Sequence, residues 1–246
     1  MKDKVILVTG GARRVGAAIC RWLHRKGARL VVHYRDSSAD AQRLKQELEQ
    51  GHPDSVALLQ ADLLDTGGIP ALVDQAARQF GRLDALVNNA SSFFPTPVGD
   101  CTEQAWHDLV GSNLKAPLFL SQAVAPYLKE NRGCIVNIID IHTEQPLKRY
   151  VIYNAAKGGL AALTRSLAME LAPEVRVNGI SPGPILWPET GEWQDETARR
   201  HIIDRTLLKR MGEPDDIART VSFLIEDAPF ITGQIIAVDG GRSINL

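Results

Sequence analysis

Short apolar runs alternate with longer amphipathic segments from one end of the chain to the other. The short runs are mostly continuous stretches of Val, Ile and Leu, which is typical of strands buried on both faces of a sheet. The predicted strands are Lys4–Thr9, Arg29–Tyr34, Ser55–Ala61, Ala85–Asn88, Cys134–Ile139, Arg176–Ile180 and Ile235–Val238. Together they indicate a sheet of about seven strands.

The longer segments repeat apolar residues at the spacing of a helix with one buried face. Helices are predicted at Arg14–Lys26, Asp40–Gln50, Ile69–Phe80, Thr102–Lys129 with a break near Asn113–Pro117, Ile152–Leu171 and Pro214–Ile225. All but the last are expected to return the chain to a parallel strand. The alternation therefore predicts an α/β fold, a doubly wound parallel sheet with helices on both faces.

The chain has 246 residues and is expected to form one domain, residues 1–246, because α/β domains of about 200–250 residues are common. The segment Gly183–Arg210 carries several prolines, Gly191, Trp187 and Trp193 but no clean strand pattern. Loops of this length in compact domains are usually lids or binding loops. We therefore predict a substrate-binding loop with a helical patch at 183–210.

Composition and charge restrict the class of partner. The chain has 28 basic and 29 acidic side chains and a formal net charge of −1, so no nucleic-acid or membrane partner is expected. The N-terminus lacks a signal-peptide pattern and no apolar run approaches a membrane span, which predicts a cytoplasmic protein. The three cysteines lack metal-ligand spacing, so no metal site is predicted.

A glycine-rich turn joins the first predicted strand to the first predicted helix. Gly10 and Gly16 bound this turn, and Arg13, Arg14 and Val15 lie just before the second glycine. Backbone N–H groups and the positive end of a helix bind a pyrophosphate in such turns. Adjacent cations at a helix N-terminus also favour an anionic ligand, since they otherwise oppose the helix dipole. The alternative is a tight connection without a ligand.

The end of the second predicted strand bears on the choice of cofactor. Arg35, Ser37 and Ser38 offer a cation and hydroxyls, which suit the 2′-phosphate of NADPH. Asp36 leaves an ambiguity of one residue in register, because a carboxylate at this position suits the free ribose of NADH. The alternative is a solvated loop in which a serine caps the next helix.

Motifs along the whole chain resemble those of the short-chain dehydrogenase/reductase family. They are the glycine turn, Asp62-Leu63, Asn88-Asn89-Ala90, Asn113, Tyr153-Asn154-Ala155-Ala156-Lys157 and Ser181-Pro182-Gly183. The resemblance spans residues 1 to 246. It implies a Rossmann fold, a nicotinamide cofactor, and a catalytic set of Asn113, Asp140, Tyr153 and Lys157.

Within that family the chain is most similar to the pteridine reductases. The narrower match rests on Arg14 where most members have glycine, on Tyr34-Arg35 to Ser37, on Asn89–Pro97, and on Asp140 where most members have serine. The resemblance implies that NADPH contacts Gly10, Arg13, Arg14, Val15, Gly16, Tyr34, Arg35, Ser37, Ser38, Asp62, Leu63, Asn89, Ala90, Tyr153, Lys157, Pro182 and Gly183. It implies that the substrate contacts Arg14, Ser91, Phe93, Asp140 and Tyr153.

Tyr153 and Lys157 are four residues apart and share one face of a predicted helix. A phenol is a poor acid–base group at neutral pH, and a neighbouring ammonium lowers its pKa by stabilising the phenolate. We therefore predict that Lys157 lowers the pKa of Tyr153. The resemblance adds that Lys157 binds the nicotinamide ribose and that Asn113 holds a water in a proton relay.

Asp140 departs from the family's usual serine and bears on the substrate. A carboxylate at this position repels the alkoxide that develops when hydride adds to a ketone. When hydride adds to a C=N bond, the charge on nitrogen is met by a proton, which an Asp140–Tyr153 pair can relay. Pterin rings contain such bonds. The alternative is that Asp140 caps the following turn or pairs with a cation.

Phe93 follows the fourth predicted strand, where parallel strands deliver side chains to a ligand crevice. Its ring can stack on a flat heteroaromatic substrate, whereas Phe94 is expected to pack inward. The resemblance implies that Ser91 binds the amino-pyrimidine edge of a pterin. It also implies that Arg14 reaches both the cofactor phosphate and the ring.

These expectations combine into an NADPH-dependent pteridine reductase that reduces dihydropterin or dihydrofolate-like rings to the tetrahydro level, with oxidised pterins as further candidate substrates. Two alternatives remain open. One is a carbonyl reductase of the same family acting on an oxoacyl thioester or a sugar, and the other is a non-catalytic NADPH-binding regulatory protein. The expected partner is a pterin or folate-like molecule, and family analogy implies a homotetramer.

Overall fold

The computed structural model describes residues 1–188 and 195–245, in which seven strands form one parallel sheet. The strands are β1 (Val5–Val8), β2 (Arg29–Tyr34), β3 (Val56–Gln60), β4 (Ala85–Asn88), β5 (Cys134–Ile138), β6 (Arg176–Pro182) and β7 (Ile235–Val238). Their order across the sheet is β3-β2-β1-β4-β5-β6-β7, and every neighbouring pair is parallel. The predicted parallel sheet is confirmed.

The helices are α1 (Arg14–Arg25), α2 (Ser38–Glu49), α3 (Ile69–Phe80), α4 (Glu103–Val110), α5 (Ala116–Asn131), α6 (Val151–Leu171), α7 (Glu196–Arg205) and α8 (Pro214–Glu226). A π-helical turn at Gly111–Lys115 separates α4 from α5, at the predicted break. α7 supplies a helix within the predicted 183–210 loop. Residues 189–194 of that loop, with Gly191 and Trp193, lie outside the described residues. Among the described helices, none is long and apolar enough to cross a membrane.

Helices cover both faces of the sheet. On one face, Leu23 of α1 and Val221 of α8 belong to the same buried cluster as Ile6 of β1. On the other face, Leu120 of α5 belongs to the cluster that contains Leu7. Successive residues of a strand point to opposite faces, so a continuous apolar run such as β1 contributes to two cores.

The expectation that the last helix does not return the chain to a parallel strand is wrong. β7 follows α8 and pairs in parallel with β6, with Ile235 opposite Gly179. The reason lies in the segment before β7, where the Gly233 N–H donates to the Val177 carbonyl near the start of β6. The chain therefore re-enters the sheet beside the start of β6, and β7 ends beside the end of β6.

The direction in which strands are added reverses between β1 and β4. β2 and β3 lie on one side of β1, and β4 to β7 lie on the other. In open parallel sheets, ligands bind outside the carboxyl ends of the strands at such a reversal. Gly10 follows β1 and Asn89 follows β4, so the glycine turn and the segment after β4 meet at this point.

Candidate active site

A cavity of about 480 Å³ opens at the carboxyl ends of the strands around the reversal point. We call it the first cavity. Its lining includes most of the residues predicted to bind NADPH, namely Gly10, Arg13, Arg14, Val15, Gly16, Tyr34, Arg35, Ser37, Asp62, Leu63, Asn89 and Ala90. Ser38 is the first residue of α2 and does not line it.

The glycine turn packs too closely for side chains at two positions. Gly10 has a φ of +59°, a conformation that favours glycine. A Cβ on Gly16 would lie 2.3 Å from the Gly10 carbonyl oxygen and 2.7 Å from the Asn89 side-chain nitrogen. That nitrogen donates to the carbonyl oxygens of Thr9 and Gly10, at 2.9 and 3.0 Å. The turn is therefore a compact cradle at the start of α1, which fits the pyrophosphate of a dinucleotide.

His33 holds this turn from β2, although it is not among the residues that the sequence pattern singles out. Its Nδ1 accepts a hydrogen bond from the Gly10 N–H at 3.2 Å, and its Nε2 lies 3.1 Å from the Ala61 carbonyl oxygen. A carbonyl can only accept, so the ring proton is assigned to Nε2 and the imidazole is neutral. Burial lowers the pKa of His33. A polar residue in the apolar run of β2 is the signal that points to this role.

Arg35 and Asp36 form an ion pair at the edge of the first cavity. Arg35 Nε donates to Asp36 Oδ2 at 2.7 Å, and both side chains are largely exposed. Ser37 precedes α2 without a side-chain capping hydrogen bond. The carboxylate that makes the cofactor preference ambiguous in sequence is thus paired with the arginine that favours NADPH.

A second cavity of about 650 Å³ adjoins the first. The two share Arg14, Val15, Asn89 and Ser91 in their linings. All residues predicted to contact the substrate line this second cavity, namely Arg14, Ser91, Phe93, Asp140 and Tyr153, together with Lys157, Pro182 and Gly183. The geometry provides one continuous groove, with the dinucleotide cradle at one end and the Tyr–Asp pair at the other.

Asp140 contacts both the backbone and Tyr153. The Tyr153 hydroxyl donates to Asp140 Oδ2 at 2.7 Å, and the His142 N–H donates to Oδ1 at 2.8 Å. Asp140 therefore caps the short helical turn Ile141–Thr143 and also faces the cavity. Burial, the negative charge of Asp140 and the hydrogen bond to it all raise the pKa of Tyr153 well above its usual value. The phenol keeps its proton at neutral pH.

The prediction that Lys157 lowers the pKa of Tyr153 is wrong for this arrangement. Lys157 Nζ donates to the Ile138 carbonyl oxygen at 2.8 Å and lies 5.8 Å from the centre of the Tyr153 ring. Burial of the phenol and the adjacent Asp140 carboxylate determine the pKa of Tyr153 instead. Burial also lowers the pKa of Lys157 to about 8, although the charge of Asp140 opposes this shift.

Phe93 stands at the mouth of the second cavity, supported by two tyrosines. Its ring stacks on Tyr150, with centroids 4.6 Å apart, and meets Tyr153 edge to face at 4.8 Å. It remains 37% exposed, so part of the ring is available to a ligand. Phe94 packs on the cluster of Leu109 and Tyr150, which confirms its predicted inward orientation.

Asn113 is buried in the π-helical turn and lines neither cavity. Its side-chain nitrogen donates to the carbonyl oxygens of Ser92 and Leu109, both at 2.9 Å. Its side-chain oxygen accepts from the Ser91 hydroxyl at 2.6 Å. Asn113 thus fixes the segment after β4, and the water relay implied by the family stays a prediction.

Arg14 is a predicted site residue whose contact across the second cavity carries no sequence signal, and Arg242 is a lining residue that the sequence pattern does not single out. Arg14 has a φ of +52°, a conformation that is unusual for a residue with a side chain and that favours glycine. Its guanidinium donates to the Trp187 carbonyl oxygen at 2.8 Å and so joins the glycine turn to the segment after β6. Arg242 lies after β7 and also lines the cavity. The Arg14–Trp187 contact and the position of Arg242 both depend on how segments that are far apart in sequence pack together.

A doubly wound parallel sheet, a glycine cradle at its reversal point and a Tyr–Lys pair in the adjoining cavity define a Rossmann-fold oxidoreductase. Residues 10–243 match the family model described as Enoyl-(Acyl carrier protein) reductase. The chain is 40% identical to Pteridine reductase 1 of Leishmania tarentolae, over 98% of this chain and 96% of that protein. It belongs to the short-chain dehydrogenase/reductase family.

Other relatives in the family carry different names. The chain is 35% identical to an uncharacterised oxidoreductase of Methylorubrum extorquens, with 98% of each chain covered. It is also 35% identical to the 3-oxoacyl-acyl-carrier-protein reductase of Staphylococcus aureus, with 97% of each chain covered. The resemblance to pteridine reductases is confirmed, and similarity to oxoacyl reductases accompanies it.

Proposed function

We propose that this protein is an NADPH-dependent pteridine reductase, which reduces dihydropterin or dihydrofolate-like rings to the tetrahydro level. The observation that carries this proposal is the 2.7 Å hydrogen bond between the Tyr153 hydroxyl and Asp140 Oδ2 at the wall of the second cavity. A carboxylate beside the phenol suits protonation of a ring nitrogen and disfavours an alkoxide. The identity of 40% to Pteridine reductase 1 of Leishmania tarentolae supports the same substrate class.

The residues of the groove fit NADPH. Gly10 and Gly16 let the turn pack closely at the start of α1, where backbone N–H groups would hold a pyrophosphate, and Arg35 offers a cation to the 2′-phosphate. At the other end, Lys157 and Pro182-Gly183 line the second cavity, where they would hold the nicotinamide ribose and ring. When bound, the cofactor supplies the hydride.

The Tyr153–Asp140 pair supplies the proton. Tyr153 remains protonated at neutral pH, so its hydroxyl can give a proton to the ring nitrogen next to the reduced carbon. A proton taken up by Asp140 from the cavity then replaces it through the same hydrogen bond. Lys157 lines the same cavity and holds its ammonium 5.8 Å from the centre of the Tyr153 ring.

Phe93 orients the substrate ring. Its partly exposed face lies at the cavity and its other face rests on Tyr150, which fixes the plane of the phenyl ring. Offset stacking of a pterin on such a ring contributes about 0.5–1.5 kcal/mol beyond the area buried. The ring is then held beside the Tyr153 hydroxyl.

The second candidate is a carbonyl reductase, favoured by the 35% identity to the 3-oxoacyl-acyl-carrier-protein reductase of Staphylococcus aureus. The position of Asp140 argues against it, because a serine at this position would donate to a carbonyl oxygen and a carboxylate does not. A regulatory protein without turnover is disfavoured by the assembled Tyr153, Asp140 and Lys157.

The test is a panel of substrates with the purified protein, following NADPH oxidation. Dihydrobiopterin, dihydrofolate, an acetoacetyl thioester and a small activated ketone are compared at equal concentrations, with NADH as the control cofactor. We expect turnover with the two dihydropteridines and little with the carbonyl compounds. Ready reduction of the thioester or the ketone without reduction of a dihydropteridine would replace this proposal by the carbonyl reductase.

Cofactor preference has its own test in the β2–α2 connection. Arg35→Ala is expected to raise KM for NADPH and to leave KM for NADH nearly unchanged, because only NADPH carries the 2′-phosphate. Arg43→Ala is the matched control, since Arg43 also pairs with an aspartate, Asp40, but does not line the cavity. Equal losses for both cofactors in Arg35→Ala would show that Arg35 does not discriminate between them.

A homotetramer and a cytoplasmic location remain part of the proposal. β7 lies at one edge of the sheet and Ala237 within it is exposed, so this strand offers a surface to another copy. Met169 on α6 is 81% exposed and adds an apolar contact on a second face. The location rests on the sequence pattern alone.

A further inference from the structure

Arg242 follows β7 in the short turn Arg242–Ile244 and lines the second cavity. Its position is fixed by Asp239, whose two carboxylate oxygens accept from the Gly241 and Ser243 N–H groups at 2.9 and 2.7 Å. The nearest acidic residue in sequence is thus occupied in holding the turn. The Arg242 guanidinium donates only to the Asn245 carbonyl oxygen, at 3.3 Å, and within residues 1–188 and 195–245 it pairs with no carboxylate.

The surroundings of Arg242 favour an anion. Arg205, at the end of α7, is close enough for its charge to lower the pKa of Arg242, and partial burial acts in the same direction. Arginine stays protonated under such conditions, so Arg242 at the cavity wall keeps a like charge, Arg205, close to it. An anionic ligand would offset the repulsion between the two guanidinium groups. It would also replace the hydration that Arg242 loses through partial burial.

The sheet sets the distance from Arg242 to the reacting groups. β5, β6 and β7 are successive strands, and strands lie about 4.8 Å apart, so β7 is about 10 Å from β5. Asp140 follows β5 and Phe93 follows β4. A pterin ring held between Asp140 and Phe93 would leave Arg242 beyond the ring, where a substituent extending toward β7 would reach it.

We propose that Arg242 binds an anionic group on the substituent of the reduced ring and makes the protein favour acidic substrates over neutral ones. This inference rests on the proposed function. A guanidinium binds a carboxylate or a phosphate through paired N–H donors, so both groups share the chemistry. A carboxylate would belong to a substrate whose ring carries a glutamate-type tail. A phosphate would belong to a substrate whose ring carries a phosphorylated substituent.

The test compares substrates that differ in charge. Dihydrofolate carries carboxylates, dihydroneopterin monophosphate carries a phosphate, and dihydrobiopterin carries a neutral side chain. We expect Arg242→Gln to lower the ratio of kcat/KM for dihydrofolate to that for dihydrobiopterin about tenfold, through KM, because a charge-assisted hydrogen bond is lost. Arg200→Gln removes one charge from an exposed position of α7 that does not line the cavity, and should leave this ratio unchanged.

Comparison of dihydroneopterin monophosphate with dihydrofolate shows whether Arg242 binds a phosphate or a carboxylate. A larger loss for the monophosphate than for dihydrofolate would assign the site to a phosphate, and the reverse to a carboxylate. An unchanged ratio for both anionic substrates in Arg242→Gln, or a parent protein that discriminates against both of them, overturns the inference.

Ligand binding separates this inference from the proposed function. Trp187 lines the same cavity, so quenching of tryptophan fluorescence in the NADPH-loaded protein reports binding without turnover. If the parent reduces no pteridine, the proposed function fails. Tighter binding of folate than of biopterin, lost in Arg242→Gln and kept in Arg200→Gln, would still support the anion site. Equal binding of folate and biopterin would reject it.

Discussion

Tyr153 keeps its proton because burial and the adjacent Asp140 carboxylate both raise the pKa of its phenol. Lys157, four residues along α6, is directed to the Ile138 carbonyl and has a pKa lowered to about 8 by burial. At neutral pH Tyr153 is therefore a neutral phenol, and Lys157 is an ammonium that loses its proton in mild alkali. This arrangement suits a residue that gives a proton to the substrate and does not take one from it.

Replacement of Tyr153 tests the proton donor. Tyr153→Phe should lower kcat with dihydrobiopterin by about 10²–10⁴-fold, as expected when general acid catalysis is removed, while the Kd for NADPH stays within about twofold. Tyr127→Phe is a matched control, because Tyr127 also donates its hydroxyl to a carboxylate, Asp74, at 2.6 Å on the surface. Steady-state kinetics and cofactor titration give both readouts. Retention of most activity in Tyr153→Phe would reject the proposed proton route.

His33 predicts a pH dependence of cofactor binding. Burial lowers the pKa of His33 from 6.5, so the folded protein binds fewer protons than the unfolded chain at this site. The contribution of neutral His33 to the stability of the fold is therefore complete above about pH 6.5. It is lost as the pH falls through the lower pKa that His33 has in the folded protein. Protonation of Nδ1 turns it into a donor that faces the Gly10 N–H and breaks their hydrogen bond.

We expect the Kd for NADPH to rise as the pH is lowered from about 8 to about 5, and this rise to be smaller in His33→Gln. His24→Gln is the control, since His24 is also buried with a lowered pKa but bonds Ser55 and lines neither cavity. Fluorescence titration of NADPH at each pH gives the curves. A His33→Gln curve parallel to that of the parent would remove His33 from the account.

The elements follow the sequence pattern closely, and the differences have local causes. The predicted first strand, Lys4–Thr9, is one residue longer at each end than β1. Only its apolar residues, Val5–Val8, pair with the neighbouring strand β2. The predicted break near Asn113–Pro117 is a π-helical turn that directs Asn113 inward, a change of helical period that apolar spacing cannot specify. Sequence therefore predicts where elements lie better than how their ends are oriented.

Gly16 tests how closely α1 approaches the glycine turn. Gly16→Ala should destabilise the protein by about 1–3 kcal/mol through overpacking and weaken NADPH binding, because the new Cβ meets the Gly10 carbonyl. Gly51→Ala is the control, since a Cβ there has nothing within 4 Å. Denaturant unfolding and cofactor titration measure the two effects. Unchanged stability and affinity in Gly16→Ala would show that the cradle tolerates a side chain.

The candidate site forms where the carboxyl ends of the parallel strands meet at one edge of the sheet. Motifs that end a strand, such as Asn89 after β4 and Asp140 after β5, could be predicted together because parallel strands deliver their ends to one edge. The contacts of Arg14 with Trp187 and the position of Arg242 could not, since they depend on how β6, β7 and the C-terminal turn pack. The same packing places the Arg242 guanidinium at the wall of the second cavity.

The exchange of Asp140 for serine tests most directly whether this groove reduces pterins by proton relay. Serine can still cap the turn at His142, so folding should be retained, and thermal melting checks this. The measurement is NADPH oxidation with dihydrobiopterin and with a small activated ketone, for the parent and for Asp140→Ser. We expect Asp140→Ser to lose pterin reduction by about 10²–10⁴-fold and to gain weak ketone turnover. A parent that reduces the ketone and ignores dihydrobiopterin, or an Asp140→Ser variant with full pterin activity, would contradict the account.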